Sequence, residues 1–473
     1  MNRRRADADR ARVLSLLRAH GWNATSFQVL EEGFRYAFDE RVDACVAYIE
    51  TGGAWVVAGA PIAAPSECAE VCARFLARAG AARRRTCFFA VEDRFLHATR
   101  LPSMRVGEQP VWDATRWDEC LHASKSLREQ LRRARAKGVV ARAVEAETMG
   151  DPQSPERRAA ETTIARWVAS RGMAPMGFLV DVQPFAFPSE RRYFVAEHDR
   201  RVVAFLACVP VYAREGWLLE DLLRDPRAPN GTAELVVDAA MRALAREGAS
   251  YVTFGLAPLA GPVSGWLRTT RAWTRALYDF EGVRAFKAKF RPHAWEPIHL
   301  AYPRGASPTG ALFDALAAFA RGSFARFGFE TLLHGPAIVV RALATMLVPW
   351  TALVAMAPAS WFPFRWVHPA WVAFDAILAI ALFALARRWR ERLALALAIV
   401  ITLDAFATWC EALAFGGPHR RGADGWVVAL VAALAPTLAS LLLWSAIGHR
   451  AWMREMPPLA SDPSPSAPRR AVA

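Results

Sequence analysis

The 473-residue sequence has seven cysteines and no C-x-x-C pair among them. That lack removes the usual spacing of a zinc site and of a paired disulfide framework. Cys68 and Cys72 stand four apart on an expected helix, a spacing that ordinary packing explains. The N-terminus, MNRRRADADRARVL, is basic and lacks the apolar segment of a secretory leader. Negative charge is also short: 45 Asp and Glu against 59 Lys and Arg leave a net charge of +14. Such a balance favours polyanionic partners, nucleic acid or an anionic membrane surface, without choosing between them.

What is present divides the chain in two. Residues 336–357, 369–386, 393–414 and 425–447 are long and mostly apolar, each enough to cross a hydrocarbon core of roughly 30 Å at about 1.5 Å per residue. Tryptophans gather at the ends of these runs, as an interfacial belt requires. Four transmembrane helices are expected over 336–450. The second connection carries Arg387, Arg388, Arg390 and Arg392, and His449, Arg450 and Arg454 follow the last run. The other connections offer Arg365, then Arg420 and Arg421. The positive-inside bias puts both termini and everything before residue 330 in the cytoplasm. Asp375, Asp404 and Glu411 fall inside predicted spans. Interhelical hydrogen bonding and headgroup contact are both open for them. The Pro/Ser-rich tail from Glu455, within 451–473, reads as disordered.

Before the membrane, apolar runs alternate with helical periodicity. ACVAYIE and AWVVAGAPI flank Thr51-Gly52-Gly53, a hairpin signal. SECAEVCARFLARAG then reads as a helix capped by Ser66, TCFFAVED as a strand, and SKSLREQLRRARAKG as a basic helix. From Asp151 the order is helix, hairpin, strand, loop, helix, strand. That is the order of a GNAT-type acyltransferase half, and two such halves are expected, 1–150 and 151–305. The fold class is α/β (α+β), a tandem GNAT-like fold followed by a four-helix transmembrane region. Residues 306–335 read as an amphipathic linker, with Leu312, Phe313, Leu316 and Phe319 on one side.

In the second half the loop RAPNGTAE precedes a helix whose N-terminal N–H groups suit a phosphate or an ester oxygen. It lacks the Q/R-x-x-G-x-G/A pattern of a coenzyme A loop, so coenzyme A is not the expected donor. Asn230-Gly231 is either this ligand loop or a plain turn and helix cap. The stretch YDFEGVRAFKAKFRPHAWEP (278–297) interleaves aromatics with Arg284, Lys287, Lys289 and Arg291. Cations position phosphates and aromatic faces stack bases or line an acyl-chain entrance. The alternative is a core of phenylalanines beside a solvated cationic face.

SLREQLRRARAKG, DLLRDPRAPNGTAELV, VTFGLAPLAG and LYDFEGVRAFKAKFRPHAWEPIHLAYP together resemble the synthase domain of bacterial phosphatidylglycerol lysyltransferases, over roughly residues 25–303. The resemblance implies transfer of an amino acid from aminoacyl-tRNA to a hydroxyl of phosphatidylglycerol, without metal or cofactor. It also implies an acid–arginine pair, matched by Asp221 and Arg224. Asp221 would bind the hydroxyl or the ammonium group, or act as base. Arg224 would bind a phosphate or oxyanion, and Lys287 a substrate. Glu234 is a second ammonium candidate, and Asn230, Gly231, Tyr278, Arg284 and Lys289 are expected to bind substrate. Two departures stand out. In the relatives a bundle of membrane helices precedes the synthase domain. They also carry an acid shortly before the lysine motif, whereas WLRTTRAWTRALY here has none. Another acyl donor or lipid acceptor, and a non-catalytic binding module, remain alternatives.

Overall fold

The computed structural model describes residues 3–171, 173–261, 280–334, 336–356, 364–414 and 433–448. Residues up to 168 together with 175–327 form one compact unit, and 169–174 with 328–473 form another. Tyr278, the acid-free stretch before it from 262 onward, and the tail from Glu455 lie outside the described residues.

The first unit is built on one twelve-stranded sheet. Its strands are β1 (Arg35–Phe38), β2 (Cys45–Thr51), β3 (Ala54–Ala58), β4 (Arg85–Val91), β5 (Ser103–Trp112), β6 (Val140–Val144), β7 (Arg192–His198), β8 (Arg201–Val211), β9 (Gly216–Arg224), β10 (Val252–Thr253), β11 (Ala257–Pro258) and β12 (Ala294–Ala301). Across the sheet the order is β1-β2-β3-β4-β12-β5-β10-β9-β8-β7-β6, with β11 also pairing β5. Two pairs are parallel, β3 with β4 and β9 with β10. Parallel neighbours need a crossover, and each pair has one: the helix Cys68–Ala81 and the helix Thr232–Arg246. The α/β architecture is therefore two GNAT-like halves, each an antiparallel run ending in a parallel pair.

Local chemistry explains the hairpins. Asp199 and Arg200 both have positive φ, 51° and 60°, between His198 and its partner Arg201. Gly52 and Gly53 do the same between Thr51 and Ala54. Two-residue loops of this hand match the strand twist. Ser124 caps the basic helix Lys125–Ala136 by accepting the Leu127 N–H at 3.3 Å. Ser66 does not cap: its helix starts at Cys68, after Glu67, with no side-chain cap bond. Two strands also pair away from the half in which sequence placed them. β6 pairs β7, extending the second half's antiparallel run, and β12 is inserted between β4 and β5 of the first. Both edges of β12 then find backbone partners.

The helix Pro308–Phe319 buries Ala311, Asp314, Ala315 and Ala318. Leu312 and Phe319 pack partly against the core, while Phe313 and Leu316 are exposed. Asp314 takes two hydrogen bonds from Arg85, at 2.9 and 2.6 Å, which fixes the alanine face inward.

In the second unit three helices are long and apolar enough to cross a membrane, lying in Pro336–Met356, Val367–Arg387 and Glu391–Ala414. Of the fourth expected span only the shorter apolar helix Ala433–Gly448 is described. Polar side chains stitch these helices: Thr402 and Ser440 hydroxyls meet at 2.8 Å, and Trp409 donates to Thr437 at 2.9 Å. Asp375 is buried among them. Glu411 lies outside the residues whose side chains are described.

Candidate active site

β9 is not a regular strand. Ala207 of β8 faces Asp221, yet the next residue, Cys208, faces Leu219. Glu220 is thus an extra residue, a β-bulge, and bulges re-aim side chains. Both acids of the bulge are withdrawn from solvent, Asp221 at 6% exposure and the Glu220 side chain at 5%. Arg191, the residue before β7, is 1% exposed and forms an ion pair with Glu220. Its guanidinium is pinned by donation from Nε to the Ala186 carbonyl at 2.8 Å, and it lies 5.2 Å from the Phe27 ring.

A third carboxyl reaches this place from the first half. Glu31 ends the short turn Phe27–Leu30 and is 3% exposed. Neither of its oxygens has a hydrogen-bond partner among the described residues, and the same holds for Glu220 Oε1 and Asp221 Oδ2. Burial pushes Glu31 up to about 10, and the neighbouring Glu220 and Asp221 charges add to the shift. Asp221 is also raised well above an ordinary aspartate, by burial first and then by Glu220, while Arg191 opposes the change. Desolvation and like charge both favour the neutral acid. Three carboxyls therefore share one guanidinium. Asp181, also close enough to raise both, is partly exposed and bonded to Arg321 at 3.2 Å.

Arg224 is three residues beyond Asp221 and falls on the opposite face by strand parity. It is half-buried and makes no hydrogen bond or ion pair among the described residues. The expected acid–arginine pair is thus split across the sheet.

At the start of the helix Thr232–Arg246, Gly231 has φ 93°, and a Cβ there would overlap the carbonyl oxygen of Gln130. The glycine is needed for close packing against the basic helix, as well as for its left-handed backbone. Asn230 is exposed beside it. Glu234 does not stand free as an ammonium site, because Lys289 Nζ donates to it at 2.9 Å.

The interleaved stretch resolves into core and tethers. Phe290 is fully buried and meets Phe286 edge-on at 5.2 Å and Phe254 at 5.4 Å. Lys287 Nζ donates to the carbonyls of Phe254, Gly255 and Leu256 at 2.9, 2.9 and 2.8 Å. All three ammonium protons are used, so in this geometry the lysine holds a loop and has no donor left for a substrate phosphate. Burial pulls it down to about 7, while the three carbonyls favour its charged form. Arg284 donates to Glu108 at 2.8 Å and lies 4.7 Å from the Trp295 ring.

The model of the family "Phosphatidylglycerol lysyltransferase, C-terminal" matches residues 14–302. The chain belongs to this family. A phosphatidylglycerol lysyltransferase of Bacillus subtilis (strain 168) is 30% identical over 132 residues, which are 25% of this chain and 15% of that protein. The chain thus matches only a small part of that relative's length. Two solved structures share the fold. A C-terminal domain named for lysylphosphatidylglycerol synthetase, from Agrobacterium fabrum, is 22% identical with a TM-score of 0.59, covering 67% of this chain and 99% of that one. L-PGS from Bacillus licheniformis is 20% identical with a TM-score of 0.56, covering 66% and 96%.

The region assigned to the lysyltransferase family contains every member of the buried acid group, from Glu31 to Asp221. Sequence reading singled out Asp221 but not Glu31, Glu220 or Arg191. Glu31 follows an apolar run (FQVL) directly, which is the one local hint of burial.

Proposed function

We propose that the protein is a membrane-bound aminoacyltransferase that moves an amino acid from aminoacyl-tRNA to a hydroxyl of phosphatidylglycerol at the cytoplasmic face of a bacterial inner membrane. The observation that carries this reading is the surplus of buried, unpartnered carboxyl oxygens around the β9 bulge, inside the family region. An aminoacyl ester brings an ammonium group, which supplies the missing positive charge. The lipid hydroxyl oxygen attacks the ester carbonyl, its proton passes to a base, and the ribose hydroxyl leaves with a proton. One ester replaces another, so the step consumes no ATP and calls for no metal. Asp221 fits the base or the ammonium ligand, once a bound cation restores its charge. Arg224, on the other face and without an ion pair among the described residues, fits a phosphate of either substrate. Lys287 supports the site by fixing residues 254–256. The apolar helices would keep the domain at its lipid.

The test uses full-length protein in detergent, charged tRNA carrying a labelled amino acid, and phosphatidylglycerol. Labelled lipid should form without ATP and should stop after RNase treatment. Labelled lipid that forms from free amino acid, or from an acyl-coenzyme A regardless of RNase, would replace this reading.

A further inference from the structure

Resting on the aminoacyl-donor reading, we infer that Glu31 determines specificity: it takes the side-chain ammonium of a dibasic amino acid while Asp221 takes the α-ammonium.

The first argument is charge. The side chains of Glu31, Glu220 and Asp221 are withdrawn from solvent, and among the described residues Arg191 is the one guanidinium bonded into the group. When ionised, the group has two negative charges more than Arg191 can offset. Buried charges need partners. A neutral amino acid ester brings one positive charge to this place, and a dibasic one brings two.

The second argument is preorganisation. Glu31 is held in position by its backbone N–H, which donates to the Gln28 carbonyl at 3.1 Å, and by its neighbours, not by its side chain. Gln28 Nε2 donates to the Leu179 carbonyl at 2.8 Å, the Glu32 N–H donates to Gln183 Oε1 at 3.0 Å, and Arg10 Nε donates to the Leu30 carbonyl at 2.7 Å. Both Glu31 side-chain oxygens remain without a donor among the described residues although its two flanks are fixed. An acid clamped into an apolar interior with nothing to bind costs stability, and such costs persist at ligand sites.

The third argument is access. A groove of about 370 Å³, lined by Ile164, Ala165, Val182 and Phe185 with Glu161 among them, includes Gln183 and Ala186 in its wall. Those two residues offer their carbonyls to Arg191, at 3.4 and 2.8 Å. A mostly apolar groove that shares Gln183 and Ala186 with the Arg191 cradle suits the methylenes of a long side chain.

The experiment measures binding of lysine methyl ester and norleucine methyl ester to the full-length protein by calorimetry. The two probes share a four-carbon side chain and differ in the terminal ammonium. The wild type should prefer the lysine ester by about 10- to 100-fold, the worth of a hydrogen bond to a charged group. Glu31→Gln should reduce that preference to about twofold or less, with norleucine ester binding retained. Its Tm should be equal to the wild type or higher, because an unpartnered buried acid is removed. Equal binding of both esters by the wild type overturns the inference, and so does a Glu31→Gln variant that keeps the preference. A clear fall in its Tm does the same by making Glu31 structural. Lipid transfer from charged tRNA is scored in parallel. Preference without transfer removes the proposed reaction and keeps the pocket. Transfer without preference keeps the reaction and removes the role of Glu31.

Discussion

The two halves of the sheet repeat one topology but bury their charges differently. In the first half β3 is apolar on both faces, with Val56 and Val57 in separate core clusters. One buried acid there, Glu92, comes just after β4 and is fully matched. It accepts from Gln109 at 3.3 Å and pairs with Arg214 at 3.2 Å, and Arg214 also pairs with Glu296 at 3.0 Å. In the second half β9 holds Glu220 and Asp221 at a bulge, Glu31 joins them, and four of their oxygens lack a partner among the described residues. Burial is the same in both places. The number of partners separates an acid that holds the structure from one that awaits a ligand.

The largest expected effect tests that contrast by removing one acid from each side. Glu92→Ala leaves Arg214 with half of its counter-charge and should cost roughly 3–5 kcal/mol of stability, read as a fall in Tm. Asp221→Asn should do the reverse. Transfer should fall by about 100-fold or more if the carboxylate is the base, while Tm holds or rises. A large loss of stability in Asp221→Asn would erase the distinction.

A smaller effect, in pH, sharpens it. Glu31 titrates near 4.5 when unfolded and at about 10 when folded. Below pH 4.5 both states hold the proton and nothing changes. Between the two values the folded state binds more protons than the unfolded one, so stability falls as pH rises, by at most about 1.4 kcal/mol per unit. Lys287 acts in the opposite sense. Its folded value of about 7 lies below its ordinary 10.5, so stability rises through that window and offsets part of the Glu31 loss. The decline in Tm should therefore be steepest below pH 7, and Glu31→Gln should flatten it there. An unchanged slope in that variant would mean that Glu31 is not titrating as a buried acid.

The strands were legible because alternation and turns are local signals. RVVAFLACVPV and GWLLEDLLR are β8 and β9 residue for residue. Asp221 was legible through its motif. Glu31 was not, since it lies 190 residues away in sequence and joins Asp221 only after the sheet has formed. The bulge was equally hidden, because a register shift belongs to a strand pair rather than to one strand. Lys287 and Lys289 looked alike in sequence, as cations in an aromatic stretch. Their partners, three carbonyls and Glu234, come from the loop and helix that follow β9 and β10.

Those two lysines give the smallest contrast. Lys287→Met keeps much of the volume and leaves three inward carbonyls without their donor, so it should cost roughly 1–3 kcal/mol. Transfer should then fall together with Tm. Lys289 lies two residues on, with 30% of its side chain exposed, in an ion pair with the better-buried Glu234. Lys289→Ala should cost no more than about 1 kcal/mol, because exposure screens the pair. If Lys289 also meets tRNA phosphate, the salt dependence of tRNA binding should flatten by about one ion's worth, an effect that Lys287→Met should not produce. Flattening by Lys287→Met instead would mean that the buried lysine leaves its carbonyls to meet the nucleic acid, and the division between tether and contact would have to be reversed.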